Sequence, residues 1–146
     1  MPRRGFDLTI QMRKDLAEAY RHVYASCRSQ EEAWRKTIIQ PAPRYYVSPK
    51  RAYHVMIDMV KGDFSVVDGM PAKKRKMYYD LFLNVQDMTQ KTEYIGKSLW
   101  FICQFAVNSP APEFYISTEA LRKTINCCRK YGLQYHHKQV FSKSTR

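Results

Sequence analysis

Residues 118–131 carry five hydrogen-bond-donating side chains that would share one face of an α-helix. Leu121, Ile125 and Cys128 recur at helical spacing and predict an amphipathic helix over this segment. Because each residue turns a helix by about 100°, the donors fall on the arc opposite these apolar side chains. Such a face suits contacts to phosphates or base edges, and a solvated helix face is the alternative interpretation. The five donors are Arg122, Lys123, Asn126, Arg129 and Lys130.

Basic residues also cluster outside this helix. No acidic residue follows Glu119, and residues 133–146 lack helical periodicity, which predicts a flexible basic tail that contacts phosphates. A KKRK run at 73–76 opens a predicted helix, where positive charge opposes the helix dipole. This placement indicates another use for the charge, either polyanion binding or solubility. The candidate contacts outside 118–131 are Lys138, Lys143 and Arg146 in the tail, Lys73, Lys74, Arg75 and Lys76 in the run, and Lys50 and Arg51 at the start of a further predicted helix.

The whole chain is strongly basic, with a formal net charge of +12 over 146 residues. At neutral pH this charge favours encounters with polyanions, of which nucleic acid is the commonest. The chain has four cysteines, and no apolar signal segment is apparent in its N-terminal residues. We therefore predict reduced thiols and a cytoplasmic location. The longest apolar run, residues 99–107, is about half of a membrane-spanning helix. We therefore expect no association with a membrane.

Two octets, PAPRYYVS from Pro41 and PAPEFYIS from Pro110, are nearly identical. A proline disfavours helical backbone for the residue before it, so each octet predicts a turn, which we call a PAP turn. We expect the aromatic pair of each octet to pack back on nearby helices. Equivalent apolar stripes follow both octets, which predicts a tandem duplication. Segments 14–23 and 76–85 extend the match upstream, with seven more residues before the octet in the second copy. We expect this insertion to lengthen a helix by about two turns.

We predict an all-α fold formed by tandem copies of a three-helix unit, in which two helices, the PAP turn and a third helix follow one another. Each third helix begins after an N-capping serine, Ser48 or Ser117, like the recognition helix of a helix-turn-helix. The proline-containing turn is longer than the turn of that motif. The alternative interpretation of each third helix is a capped helix of the core. Gly62 and Gly132 predict helix ends. The predicted helices cover residues 9–26, 31–39, 49–61, 72–88, 93–107 and 118–131.

The predicted organisation has four parts. A first helical unit occupies 1–62, a linker at 63–76 enters the next helix, a second helical unit occupies 77–132, and a basic tail occupies 133–146. We expect both helical units to share one core.

Tyrosine is abundant and interleaved with arginine and lysine, a composition that proteins use to stack on single-stranded bases. The spacing of Tyr20 and Tyr24, and of Tyr78 and Phe82, instead favours packing in a helical core. We expect core packing for most of these side chains.

Catalytic and metal-binding patterns are sparse. Cys127, Cys128, His136 and His137 form one possible ligand cluster, but adjacent cysteines on a helix point about 100° apart and the usual C-x₂-C pair is missing. The sequence contains no Gly-rich phosphate loop and no G-x-S-x-G nucleophile elbow. We therefore expect a protein that is not an enzyme, with no metal, no cofactor and no small-molecule substrate.

The two PAP turns and the basic C-terminus give nearly the whole chain a resemblance to small uncharacterised helical proteins of prophages and mobile elements of Bacteroidetes-type bacteria. The resemblance implies a role in DNA handling or in a virion, and it implies no activity or site residue.

Together these observations favour a non-enzymatic, cytoplasmic nucleic-acid-binding protein of a phage or mobile element, with DNA favoured over RNA. The alternative is a protein–protein assembly or regulatory module, such as a virion component or the adaptor of a mobile-element enzyme. In that case Trp34, Trp100 or the surface at 101–105 would bind a protein partner or a second copy of the chain.

Overall fold

The computed structural model describes residues 4–136, and every regular element among them is helical. This confirms the predicted all-α class. The helices are α1 (Arg4–Tyr24), α2 (Gln30–Ile38), α3 (Pro49–Val60), α4 (Ser65–Asp68), α5 (Ala72–Thr89), α6 (Leu99–Ala106) and α7 (Thr118–Tyr131), with a 3₁₀ turn at Thr92–Tyr94.

Four of these helices begin directly after a serine whose side chain accepts a hydrogen bond from the backbone N–H three residues later. The distances are 3.2 Å for Ser29 and 3.1 Å for Ser48, Ser98 and Ser117. A serine there satisfies one of the N–H groups that the first helical turn leaves without a partner. The predicted caps at Ser48 and Ser117 are confirmed, and Gly132 follows α7 with a φ of 86°.

The observed helices depart from the prediction between α5 and α6. The helix predicted at 93–107 begins only at Leu99, because Gly96 adopts a φ of 80° and Ser98 then caps a new helix. A left-handed backbone position interrupts a helix, and glycine adopts it without steric penalty. The predicted helix extension is therefore wrong, since α6 has 8 residues and α2 has 9. Nine residues connect α5 to α6, whereas five connect α1 to α2.

The helices form two compact units that do not follow the predicted boundaries. One unit combines Met1–Ile39 with Ile116–Arg146, and the other is Gln40–Tyr115. We call them the first and the second compact unit. Helices α1, α2 and α7 pack together in the first, whereas α3, α5 and α6 pack together in the second. The third helix of each predicted copy therefore packs against the first two helices of the other copy, and a division into 1–62 and 77–132 does not describe the packing.

Each compact unit buries apolar side chains of its own helices. Leu16 of α1, Ala33 of α2 and Leu121 of α7 are at most 1% exposed in the first unit. In the second, Met56 of α3 and Leu81 of α5 are fully buried. Burial of a side chain of this size stabilises by about 1.5–3 kcal/mol. These contacts fix which face each helix turns to solvent.

The two octets pair with each other inside the second compact unit. Ala42 and Ala111 exchange both backbone hydrogen bonds at 2.9 Å, as opposed residues of an antiparallel bridge do. The aromatic pairs of the octets stack on one another, a partner that the sequence did not predict. The stacked pairs are Tyr45 with Tyr115 and Tyr46 with Phe114, at ring-centroid distances of 6.2 and 6.1 Å.

The octets differ most at Arg44 and Glu113, and these side chains make different contacts. Glu113 is 12% exposed and forms ion pairs with Lys73, at 3.1 Å, and with Lys76. Both lysines lie near the start of α5, so Glu113 places negative charge near a helix N-terminus, where it is stabilising. Arg44 instead donates a hydrogen bond to the carbonyl oxygen of Tyr45 at 3.1 Å.

We expect the chain to lose stability as the pH falls through the lowered pKa of Glu113, because this carboxylate then becomes protonated and loses its ion pairs. Burial is the largest single influence and raises the pKa of this carboxyl, but hydrogen bonds from Lys76 and Lys73 outweigh it and hold the pKa below its usual value. The stabilisation is therefore present above the unfolded-state pKa and is lost as the pH falls through the folded-state pKa. Urea unfolding between about pH 7 and pH 3 should show a loss of about 1 kcal/mol that is absent in Glu113→Gln.

The control is Glu119→Gln, which removes a carboxylate that is 70% exposed. This variant should keep the wild-type dependence of stability on pH. A Glu113→Gln variant with the same dependence as the wild type would contradict the role given to these ion pairs.

Candidate nucleic-acid interface

Helix α7 presents its five predicted donors to solvent. Its apolar stripe anchors the helix, because Leu121 is fully buried and Ile125 is 4% exposed where α7 packs on α1 and α2. The donors lie on the other side and are all exposed. We call them the α7 basic face, which consists of Arg122, Lys123, Asn126, Arg129 and Lys130.

Contacts among residues 4–136 leave the charge of the α7 basic face largely uncompensated. Lys123 lies 3.8 Å from Glu119, but both side chains are more than half exposed, and such pairs contribute little. Arg129 lies 5.7 Å from the ring centroid of Tyr20, and Lys130 lies 5.4 Å from that of Tyr131. A cation over an aromatic face keeps its full charge. The face therefore retains a positive potential that can attract phosphates.

A groove of about 460 Å³ runs between α1 and α7 in the same unit. Apolar atoms of Ala17, Ile125 and Leu133 contribute to its lining. We call it the α1–α7 groove. The charged side chains in its described lining are three exposed cations and one exposed carboxylate, namely Lys14, Arg21, Arg129 and Glu18.

Two tyrosines from α1 also line the α1–α7 groove. Tyr20 is 4% exposed, as predicted for a core side chain, but Tyr24 is 47% exposed, so the prediction of core packing is wrong for Tyr24. Tyr24 is the last residue of α1, and its ring lies 5.6 Å from that of Tyr20. Helical spacing places both residues on one face of α1. It does not show that other residues bury only Tyr20.

Arg13 holds the chain that follows α7, a contact that sequence reasoning missed. Its side chain is buried, and Nη1 donates hydrogen bonds to the carbonyl oxygens of Leu133, at 2.9 Å, and Tyr135, at 2.8 Å. The guanidinium carbon lies 3.6 Å from the centroid of the Tyr135 ring, a close cation–π contact. The predicted flexible tail therefore does not begin at residue 133. Lys138, Lys143 and Arg146, together with His137, lie outside the described residues.

The KKRK run belongs to the second compact unit and is partly used within it. Lys73 and Lys76 pair with Glu113, and Nη1 of Arg75 lies 3.5 Å from the carbonyl oxygen of Asp68. Lys74 is exposed. These contacts give the run a structural role at the start of α5, which weakens its assignment as a phosphate contact.

Lys50 and Arg51 are exposed in the first turn of α3, also in the second compact unit. Arg51 forms a hydrogen bond with Tyr78, whose pKa is raised by burial despite this contact. The predicted nucleic-acid contacts among the described residues thus belong to two compact units. The α7 basic face lies in the first of them.

Within residues 4–136, no three histidine, cysteine, aspartate or glutamate side chains are placed to hold a metal ion. Cys127 and Cys128 are half-buried, and burial raises the pKa of the Cys128 thiol. None of the described helices combines the length and the apolar composition that a bilayer crossing needs.

Comparison of the chain with protein-family models, with curated proteins and with solved structures finds no match.

Proposed function

We propose that the protein binds nucleic acid through the α7 basic face, as a non-enzymatic cytoplasmic protein of a phage or mobile element. The observation that carries this proposal is the exposure of all five donors on one helix whose opposite face is anchored by Leu121 and Ile125. The preference for DNA over RNA rests on the resemblance to mobile-element proteins. The tail lysines extend the proposal to residues outside those described.

The dimensions of α7 support a track of phosphates. From Arg122 to Lys130 the helix rises about 12 Å, which matches three to four nucleotides at about 3.4 Å of axial rise each. Four cations over that length are enough for one phosphate contact each. Asn126 lies between them and can pair bidentately with an adenine edge.

The test is the dependence of affinity on salt. Fluorescence anisotropy should show binding to duplex DNA with a slope of log K against log salt of about −3 to −4, because each neutralised phosphate contributes about −0.9. The same titration with single-stranded DNA and RNA gives the preferred nucleic acid. A slope near zero, or no binding to any of the three at low salt, contradicts the proposal.

The tandem duplication is also part of the proposal. Tyr45 of the first octet aligns with Phe114, and Tyr46 aligns with Tyr115, yet the stacked pairs are Tyr45 with Tyr115 and Tyr46 with Phe114. Such reciprocal contacts are what two related copies make when they meet across a twofold axis. Ala42 and Ala111, which are aligned positions, likewise pair with each other.

In this proposal, the recognition helix of the predicted helix-turn-helix is α7. The helices that support it are α1 and α2, which lie far from it in sequence. The recurring element is therefore a capped helix after a PAP turn, without a short turn from its supporting helix.

A protein–protein assembly role is the second candidate, because the second compact unit exposes large apolar side chains. Leu83, Ile95, Trp100 and Phe105 are 63%, 68%, 41% and 48% exposed, and exposed apolar surface is typical of interaction sites. Trp34 is half-buried by comparison. Size-exclusion chromatography with light scattering, before and after nuclease treatment, separates the candidates. A stable oligomer free of nucleic acid favours assembly.

A further inference from the structure

The α1–α7 groove combines features that a phosphate track alone does not need. It has an apolar lining, an exposed tyrosine and three cations. We infer that this groove takes an unpaired base of single-stranded nucleic acid, which stacks on Tyr24 while the neighbouring phosphates contact Lys14, Arg21 and Arg129. The inference rests on the proposed function and names the form of nucleic acid that this site selects.

The size and lining of the groove fit this occupant. Its volume of about 460 Å³ lies within the range of about 300–1,000 Å³ that small-molecule sites occupy. Tyr24 is 47% exposed, so part of its apolar ring remains in contact with water. Stacking on a base covers that part of the ring, and it does so for any base because every base has a π surface.

The cations are placed to follow a strand past the stacked base. Lys14 and Arg21 lie seven residues apart on α1, which puts them on the same face of the helix, and Tyr24 lies three residues beyond Arg21 on that face. Arg129 approaches from α7, with its guanidinium carbon 5.7 Å from the ring of Tyr20. Glu18 is the one carboxylate in the described lining, so the groove keeps an excess of positive charge.

A groove in the second compact unit provides a contrast. It is larger, about 710 Å³, but its described lining pairs one cation, Lys97, with one carboxylate, Asp87. Its aromatic side chain, Phe82, is 9% exposed. Charge excess and an available ring therefore coincide in the α1–α7 groove and not in this one.

A base inside a duplex is already stacked and paired, so it cannot enter the groove without disrupting the duplex. The experiment therefore compares two single strands of equal length, one with normal bases and one in which every base is replaced by an abasic tetrahydrofuran unit. Both carry the same phosphates. The wild-type protein should bind the base-bearing strand about 5- to 150-fold more tightly, the range that stacking of one base supports.

Tyr24→Leu should remove most of this preference without changing affinity for the abasic strand, and Tyr24→Phe should keep it. Phe105→Leu is the matched control, since Phe105 is a similarly exposed aromatic residue, at 48% against 47% for Tyr24. It should leave the preference unchanged. Circular dichroism melting of each variant verifies that the fold is retained.

The inference is overturned if wild-type protein binds both strands equally, or if the preference survives Tyr24→Leu. Salt-dependent binding in either case still supports the phosphate contacts of α7. The proposed function itself fails separately, when neither strand nor duplex DNA nor RNA binds at low salt.

Discussion

Replacing Arg122, Lys123, Arg129 and Lys130 together with alanine is expected to lower affinity for DNA by roughly a hundredfold to a thousandfold near physiological salt, and to reduce the salt slope by about 3 to 4. The physical reason is that each cation lost is one phosphate no longer neutralised and one counterion no longer released. All four side chains are exposed, so the unfolding free energy should change little. Anisotropy titrations at several salt concentrations measure both quantities.

The effect of total charge on affinity must be distinguished from the effect of placing that charge on α7. A control variant that replaces Arg28, Lys61, Lys91 and Lys97 with alanine removes the same charge from four other exposed positions. It should lower affinity much less than the α7 variant, because long-range attraction between exposed charges is screened beyond about 8–10 Å. Equal losses in both variants would mean that net charge, and not the α7 basic face, determines binding.

The second large effect concerns stability. Arg13→Ala should lower the unfolding free energy by about 3 kcal/mol, because hydrogen bonds from a charged donor to the carbonyl oxygens of Leu133 and Tyr135 are lost together with the cation–π contact. Arg13→Lys should recover less than half of this loss, since an ammonium group lacks the planar fork that makes these contacts at once. Urea unfolding at pH 7 measures the differences.

The neighbouring Lys14→Ala is the control for Arg13, because Lys14 is exposed and should change the unfolding free energy by less than about 0.5 kcal/mol. If Arg13→Ala lost no more stability than Lys14→Ala, the contact of Arg13 with residues 133–135 would have no energetic importance. Limited proteolysis near Leu133 gives an independent measure, and cleavage there should become faster in Arg13→Ala.

Features set by neighbouring residues were predictable from the sequence. The caps at Ser48 and Ser117 depend on a side chain and an N–H three residues away. The exposure of Arg122 and Asn126 on α7 follows from the helical period once Leu121 is buried. Local geometry determines each of these.

Features set by distant residues were not predictable. Glu113 and Lys73 are 40 residues apart, and Arg13 contacts a carbonyl oxygen 122 residues away. Nothing in the spacing of the KKRK run indicates that a carboxylate from the second PAP turn will pair with two of its lysines. The exposure of Tyr24 likewise depends on which residues pack over the end of α1, and helical spacing alone carries no information on that.

The discontinuous first compact unit has a consequence for biosynthesis. Its helices α1 and α2 leave the ribosome before Gln40–Tyr115, and α7 follows only after those residues have been translated. At about 5–20 residues per second, the apolar side chains that α7 will cover stay exposed for several seconds. The intervening second unit is continuous in sequence, so we expect that it can fold before α7 packs on α1 and α2.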